Sequence, residues 1–220
     1  MLYHTLPYFR GLNTIDRAEQ RRLFILNLKR DDVYTLHCNG ESAIVLISGS
    51  VLVREGLKEG SLWDRKSWRD EAPWCGHFPV GSNVVFTGVS DTTLMCLAIN
   101  DIPMHFPKRI IAPQDLTDNC EKGDRQAGTI RSILDPVTGG GSIIVSERVS
   151  MPGNWGYPPE NHAIDFWWQY NQFYPDNGFA IAYTGGRAYI VTQDTAYIAY
   201  GSDTCFVSAP GYWQYSLSIG

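Results

Sequence analysis

Short apolar runs separated by polar breaks set the pattern of the first half. Leu23-Phe24-Ile25-Leu26-Asn27-Leu28 predicts a strand, ended by the charged break Lys29 to Asp32. Asn39-Gly40 is a turn dipeptide before the strand Ala43-Ile44-Val45-Leu46-Ile47. Ser48-Gly49-Ser50 then predicts a hairpin turn, with Val51-Leu52-Val53 as the returning strand. Pro79-Val80-Gly81 is a turn, and Val84-Val85-Phe86 and Leu94 to Ile99 are further strands. The polar, Trp-rich stretch from Glu55 to Gly76 predicts a long loop over an open end. Thr14 to Arg22 carries the chain's one helical hint, short and weakly periodic.

Asp101 to Lys108 holds two prolines and no patterning, and marks a boundary between domains at 1–108 and 109–220. The second half repeats the grammar of the first. Strands are expected at Thr129–Leu134, Ser142–Val149, Phe179–Tyr183, Ala188–Thr192, Ala196–Tyr200 and Gln214–Ile219. Turns intervene at Asp135-Pro136, Thr138 to Gly141, Asp176-Asn177-Gly178 and Gly185-Gly186. Strands spaced by roughly 8–12 residues, twice over, predict an all-β protein of two small sandwiches or barrels.

Composition narrows this picture. The 220 residues are 13% aromatic and only 19% charged, so the chain can bury a sizeable core. The net charge of −5 offers no basic surface for a nucleic acid. The charge is uneven: residues 1–110 carry 13 basic and 12 acidic side chains, residues 111–220 carry 5 and 11. Five scattered cysteines without a C-x-x-C argue against a disulfide framework or a zinc knuckle. Apolar runs such as Ala43 to Ile47 and Leu94 to Ile99 are far short of a membrane span, and no basic-then-apolar leader opens the chain. A cytoplasmic protein with no membrane partner is expected.

Pro152-Gly153-Asn154-Trp155-Gly156-Tyr157-Pro158-Pro159-Glu160-Asn161-His162-Ala163-Ile164-Asp165 is the densest chemical stretch. On an extended strand, residues two apart share a side, so Glu160 and His162 can face one cavity, with Asp165 close behind. Such a group either holds a divalent metal with a further ligand or forms a hydrogen-bonded cluster at a barrel rim. The other histidines stand alone. Cys75-Gly76-His77 lacks the geometry of a nucleophile and its base, and Gly139-Gly140-Gly141 lacks the context of a phosphate loop. Phe166-Trp167-Trp168-Gln169-Tyr170 either stacks on sugar rings or forms core or a subunit interface.

The chain resembles the 5-deoxy-glucuronate isomerase family of inositol catabolism, related to the pectin-pathway uronate ketol-isomerases. Its markers are Gly40-Glu41, Leu46-Ile47-Ser48-Gly49, Arg109-Ile110-Ile111-Ala112-Pro113, Thr129 to Leu134 and Glu147. Pro152-Gly153-Asn154-Trp155 with Pro158-Pro159 is the most specific, and Gly178-Phe179 and Ala209-Pro210-Gly211-Tyr212 complete the set. The likeness runs over nearly the whole chain. It implies a bicupin: two tandem double-stranded β-helix barrels, jelly-roll-like, with the site in the second.

The resemblance also implies a ligand set. The family pattern P-P-H-x-H places Glu160 at the first His and His162 at the second. The last family His falls on Thr204, and Asp165 is the nearest match to the family Glu. Glu160, His162 and Asp165 would then hold Zn, Mn or Fe. The implied reaction is aldose–ketose isomerisation of a sugar acid, with Glu147 as base or, alternatively, as a salt-bridged strand residue. Arg131 and Arg187 are the candidates for the substrate carboxylate, or else solvated or paired surface arginines, and Trp155 completes the substrate site. Expected partners are a small sugar or sugar acid and further copies of the chain. A non-catalytic carbohydrate-binding or regulatory bicupin is the rival reading.

Overall fold

A computed structural model describes residues 3–5, 11–17, 21–56, 59–100, 106–121, 128–135, 141–152, 155–160, 166–184, 186–200, 204–208 and 211–219. Among these the protein is all-β, with one 3-10 turn at Pro113–Asp115 and no α-helix. The strands of the first half are β1 (Tyr3–Thr5), β2 (Gly11–Arg17), β3 (Arg21–Leu28), β4 (Val33–His37), β5 (Glu41–Glu55), β6 (Ser61–Arg65), β7 (Cys75–Phe78), β8 (Asn83–Gly88) and β9 (Thr92–Ile99). Then come β10 (Arg109–Ile111), β11 (Asn119–Glu121), β12 (Gly128–Leu134), β13 (Val145–Ser150), β14 (Trp155–Glu160) and β15 (Phe166–Tyr174). The last are β16 (Phe179–Thr184), β17 (Arg187–Thr192), β18 (Thr195–Tyr200), β19 (Thr204–Ser208) and β20 (Trp213–Ile219).

The chain forms two compact units, each built from more than one segment. One comprises residues 7–116 and 134–143, the other residues 1–6, 117–133 and 144–220. Of the boundary segment expected at 101–108, residues 101–105 lie outside the described residues.

In the first unit one sheet runs β10-β7-β5-β9-β3-β2. The 15-residue β5 serves two layers. Residues Glu41 to Ser48 pair with β9, and Ser42 to Val45 also pair with β7. Beyond the bend, Gly49 to Val53 pair with β6, and Val51 to Glu55 pair with β8. Thus Ser48-Gly49-Ser50 is not a hairpin turn but the bend at which one strand changes layer. Gly49 holds φ +94, and a Cβ there would lie 2.1 Å from the Asp91 carbonyl oxygen, so glycine alone fits.

Of the helix expected over Thr14 to Arg22, Thr14 to Arg17 lie instead in β2 and Arg21 and Arg22 in β3, which pair antiparallel, while residues 18–20 lie outside the described residues. Leu23 to Leu26 are buried in β3, whose pairing with β9 outweighs a weak local preference. The Trp-rich stretch is not a covering loop either. Trp63 sits in β6 with no exposed surface, stacked on Trp74 at 6.1 Å, and belongs to the core of Phe24, Ile44, Leu46, Phe78 and Phe86. Arg65, also buried, donates to the carbonyls of Leu46 and Glu71 and so ties the following turn down.

Glu41 fastens the segment 134–143 to this unit. Its carboxylate accepts from the backbone amides of Ser142 (2.8 and 2.9 Å) and Ile143 (2.9 Å) and from His77 Nε2 (2.9 Å). The His77 ring stacks on Phe106 at 3.9 Å. Burial raises the Glu41 carboxyl, but the His77 bond and the two amides outweigh it and hold the group below its ordinary range. Cys75 is likewise buried, and burial pushes its thiol up to about 12, which leaves it inert as a nucleophile.

The second unit has two sheets. One runs β1-β18-β15-β20-β13-β12-β11, the other β14-β19-β16-β17. The sheet order brings residues from the far ends of the chain side by side. β1 pairs with β18, and β20 lies between β13 and β15.

Candidate functional site

Strand register decides what faces the space between the two sheets of the second unit. Pairing across β13, β20, β15 and β18 sets side chains in rows. One row is Ser146, Ser218, Gln169 and Tyr197; the next is Arg148, Ser216, Asn171 and Thr195; the third is Ser150, Gln214 and Phe173. Because the strand period is two, all three rows lie on one face. Phe173 and Tyr197 pack with Ala180 and Ala182 of β16 and Val191 of β17, so this face looks into the interior.

That interior is polar. Arg148 is only 3% exposed, and Ser150, Gln169, Asn171, Thr195, Gln214 and Ser216 are all buried. Tyr197 donates its hydroxyl to Gln169 Oε1 at 2.7 Å. Gln169 Nε2, Asn171 Oδ1, both amide atoms of Gln214 and the hydroxyls of Ser150 and Ser216 make no hydrogen bond among the described residues. Each such atom costs about 1–3 kcal/mol if left unanswered, so folded proteins answer them with water or a ligand. Six such atoms lie on one face of one sheet.

The opposite face carries the sequence-predicted pair. Glu147, register partner of Leu217, is fully buried and accepts from Arg131 Nη1 at 2.5 Å. Arg131 presents its other edge to Asp118, Nε to Oδ1 at 2.5 Å and Nη2 to Oδ2 at 3.0 Å. Burial lowers the Arg131 guanidinium, but Asp118 and Glu147 together raise it above its ordinary value. The structure therefore brings Glu147 and Arg131 together and sets them on the side away from Arg148. Arg187 stands exposed at the closed end of the β16–β17 hairpin, paired in register with Thr184.

Trp155 and Glu160 bracket β14. Glu160 is the register partner of Thr204 in β19. His162 and Asp165 lie outside the described residues. Among the described residues no group of three His, Cys, Asp or Glu side chains could hold a metal ion. A carboxylate, an imidazole and a second carboxylate form a donor set that suits Zn, Mn or Fe, and Glu160, His162 and Asp165 would supply it. The position opposite Glu160 adds only a threonine hydroxyl, a weak donor.

Sequence reasoning chose Arg131 and Arg187 among the few basic residues of the second half and did not single out Arg148 or the buried amides around it. The signal was present: Trp168-Gln169-Tyr170-Asn171 and Gln214-Tyr215-Ser216-Leu217-Ser218 alternate polar with apolar residues in strands buried on both faces. A sheet covered on both sides ordinarily reads apolar throughout, so alternation there marks a buried polar surface. The first unit holds a cleft of about 210 Å³ beside Asn27, Ser48 and Thr93, at whose edge Lys29 is paired with Asp91 at 2.5 Å.

Two tandem all-β units of paired sheets, the second with a polar interior, define a bicupin, and solved structures bear this out. An IolB-like protein from Salmonella typhimurium LT2 matches 100% of this chain over 92% of its own, with a TM-score of 0.83 at 19% identity. An oxalate decarboxylase from Lactobacillus farciminis, solved as a formate complex, matches 100% of this chain over 85% of its own, with a TM-score of 0.68 at 11% identity. A cupin 2 conserved barrel domain protein from Leptotrichia buccalis matches 98% of this chain over 94% of its own, at 0.53 and 8%. At these identities the likeness is one of fold. No functionally curated protein matches the sequence. Residues 16–219 match the KduI/IolB family, and the chain belongs to it.

Proposed function

We propose that this protein is a sugar-acid isomerase of the 5-deoxy-glucuronate isomerase type, working in the interior of its second barrel. The family match over residues 16–219 carries the reading, since it is the finding that speaks to chemistry as well as fold. The polar interior supports it, because a hydroxylated ligand needs donors and acceptors on all sides.

The reaction converts an aldose to a ketose with no net oxidation. The C2–H bond breaks, a C1–H bond forms, and the C2 hydroxyl proton ends on the C1 oxygen. Bound by Glu160, His162 and Asp165, a divalent Zn, Mn or Fe would polarise the carbonyl and the neighbouring hydroxyl. The chain's own residues do the rest. The amides and hydroxyls of the three rows orient the sugar and displace water, and Trp155 adds an aromatic surface at the start of β14. Arg187, exposed at the hairpin end of an acidic half, draws an anionic substrate in. In this reading Glu147 and Arg131 form a buried ion pair that fixes β12 against β13, and they do not touch the substrate.

Among the described residues no helix is long and apolar enough to cross a membrane. The reading is tested by incubating the purified protein with Mn, Zn, Fe or Co and either 5-deoxy-glucuronate or D-glucuronate. NMR should show a ketose signal that a chelator abolishes. No conversion of either acid with any of the four metals overturns it.

A further inference from the structure

We propose that two copies of this chain join through the outer face of the hairpin β16–β17, packed face to face about a twofold axis that runs along the hairpin.

The larger sheet of the second unit is buried on both sides. Tyr170, Tyr215 and Leu217 on one face are as covered as Gln169, Asn171 and Ser216 on the other. The smaller sheet differs at β16. Its inward positions are Ala180, Ala182 and Thr184, all buried, and its outward positions are Phe179, Ile181 and Tyr183, all exposed. A sheet with one wet face ordinarily alternates apolar residues inward with polar residues outward. Here the large apolar side chains point out and the small ones point in. β17 adds Ala188, Ile190 and Thr192 to the same outward face, so none of its six positions on this hairpin carries a charge.

The exposed area is on the scale of an interface centre. Phe179 and Tyr183 are 44% and 43% exposed, and Ile181 and Ile190 are 50% and 66% exposed. At about 200 Å² for a large side chain, the four offer about 400 Å² on one copy. A stable interface buries about 800 Å² per partner, with an apolar centre inside a polar rim. The four side chains supply the centre, and the flanks of the hairpin supply the rim.

A second copy fits because the face is its own complement. Register sets Phe179 beside Thr192, Ile181 beside Ile190 and Tyr183 beside Ala188. Each outer row therefore holds one large side chain and one small, and the middle row holds two isoleucines. A twofold axis along the hairpin lays β16 of each copy over β17 of the other. Phe179 then meets Thr192, Tyr183 meets Ala188, and Ile181 meets Ile190, with the two sheets at the usual spacing of about 10 Å. Two chains of net charge −5 repel overall, so a patch without carboxylates is where they can approach. An anionic membrane surface would call for lysines or arginines on the face, and its six outward positions hold none.

Sedimentation velocity of the intact protein, from about 1 to about 100 μM, tests the assignment. The wild type is expected to run at twice the chain mass at about 10 μM. Ile181→Lys and Ile190→Lys should each weaken self-association by about 100-fold or more and run as monomers at that concentration. Leu62→Lys, at a comparably exposed leucine of β6 in the first unit, should leave the dimer intact. Circular dichroism shows whether each variant keeps its sheets, and Ile190, two-thirds exposed, is the hairpin position where folding is least at stake. A larger assembly that both hairpin variants divide supports the assignment as well. A wild-type monomer at about 100 μM overturns it, and flotation of that monomer with phosphatidylcholine vesicles would hand the face to a lipid surface instead. A dimer that survives in both hairpin variants overturns it, as does one that Leu62→Lys disrupts as strongly.

Discussion

Gly141 is the most sharply tested position in the first unit, because its replacement acts directly on the Glu41–His77 pair. An alanine Cβ there would lie 2.2 Å from Glu41 Oε1, 2.8 Å from Glu41 Cδ and 2.6 Å from His77 Cε1. Ordinary contact needs well over 3 Å, so Oε1 must retreat by about 1 Å. The His77 and Ile143 donors, both at 2.9 Å, then fall beyond hydrogen-bond range, while Ser142 can keep its bond to Oε2. Two hydrogen bonds to a buried charged group are worth about 1.5–3 kcal/mol each, so Gly141→Ala should destabilise the protein by about 3 kcal/mol or more. Urea unfolding followed by circular dichroism measures this, with Glu41→Ala and the double variant completing a cycle. In the Glu41→Ala background the carboxylate is gone and only the 2.6 Å approach to His77 Cε1 remains, so Gly141→Ala should cost clearly less than it does in the wild type. Additive losses in the cycle, or a single variant within experimental error of wild type, would refute the reasoning.

The same carboxylate gives a pH signature. Its folded-state pKa is depressed, so its contribution is complete above the unfolded value of about 4.5 and is lost as pH falls through the folded value; thermal midpoints of the wild type and Glu41→Gln should therefore converge below pH 4.5. Glu147→Leu leaves Arg131 buried with one partner fewer and should cost about 3–5 kcal/mol, much of it recovered in Arg131→Met/Glu147→Leu; denaturant midpoints check this, and equal losses would refute it. Cys75, its thiol at about 12, should resist iodoacetamide at pH 8 until the protein is unfolded, as peptide mass spectrometry would show. Thr204→His places an imidazole opposite Glu160 and should raise metal affinity at least tenfold by elemental analysis after dialysis against graded chelator; unchanged retention would remove β14 and β19 from the metal site.

The parts of the fold that were legible in the sequence are those where one strand's pattern is enough. Leu23 to Leu28 and Leu94 to Ile99 read as strands because both are apolar and both pair centrally, with each other. The strand running through Ser48-Gly49-Ser50 was not legible, because a glycine at positive φ serves a bend within a strand as well as a turn between two. Only the partners of β5, β9 on one side and β6 and β8 on the other, tell the two apart. The site divides in the same way. The stretch Pro152 to Asp165 announces itself because its chemistry is contiguous. The row Arg148, Ser216, Asn171 and Thr195 is drawn from four strands and exists only once they pair. Glu147 and Arg148 show how fine the margin is: adjacent in sequence, they point to opposite faces, and a register slip of one residue would exchange them.

The exchanged segments also set a timetable for biosynthesis. Glu41 is separated by 102 residues from the Ile143 amide it binds. At translation rates of about 5–20 residues per second, the first barrel waits about 5–20 s for the strap that completes it, holding a carboxylate that will be buried. Residues 1–6 wait longer, since β1 finds β18 only when the chain has passed Tyr200. The first barrel cannot finish folding until residues 134–143 have been made, and a ribosome stalled near residue 110 would present it without that strap.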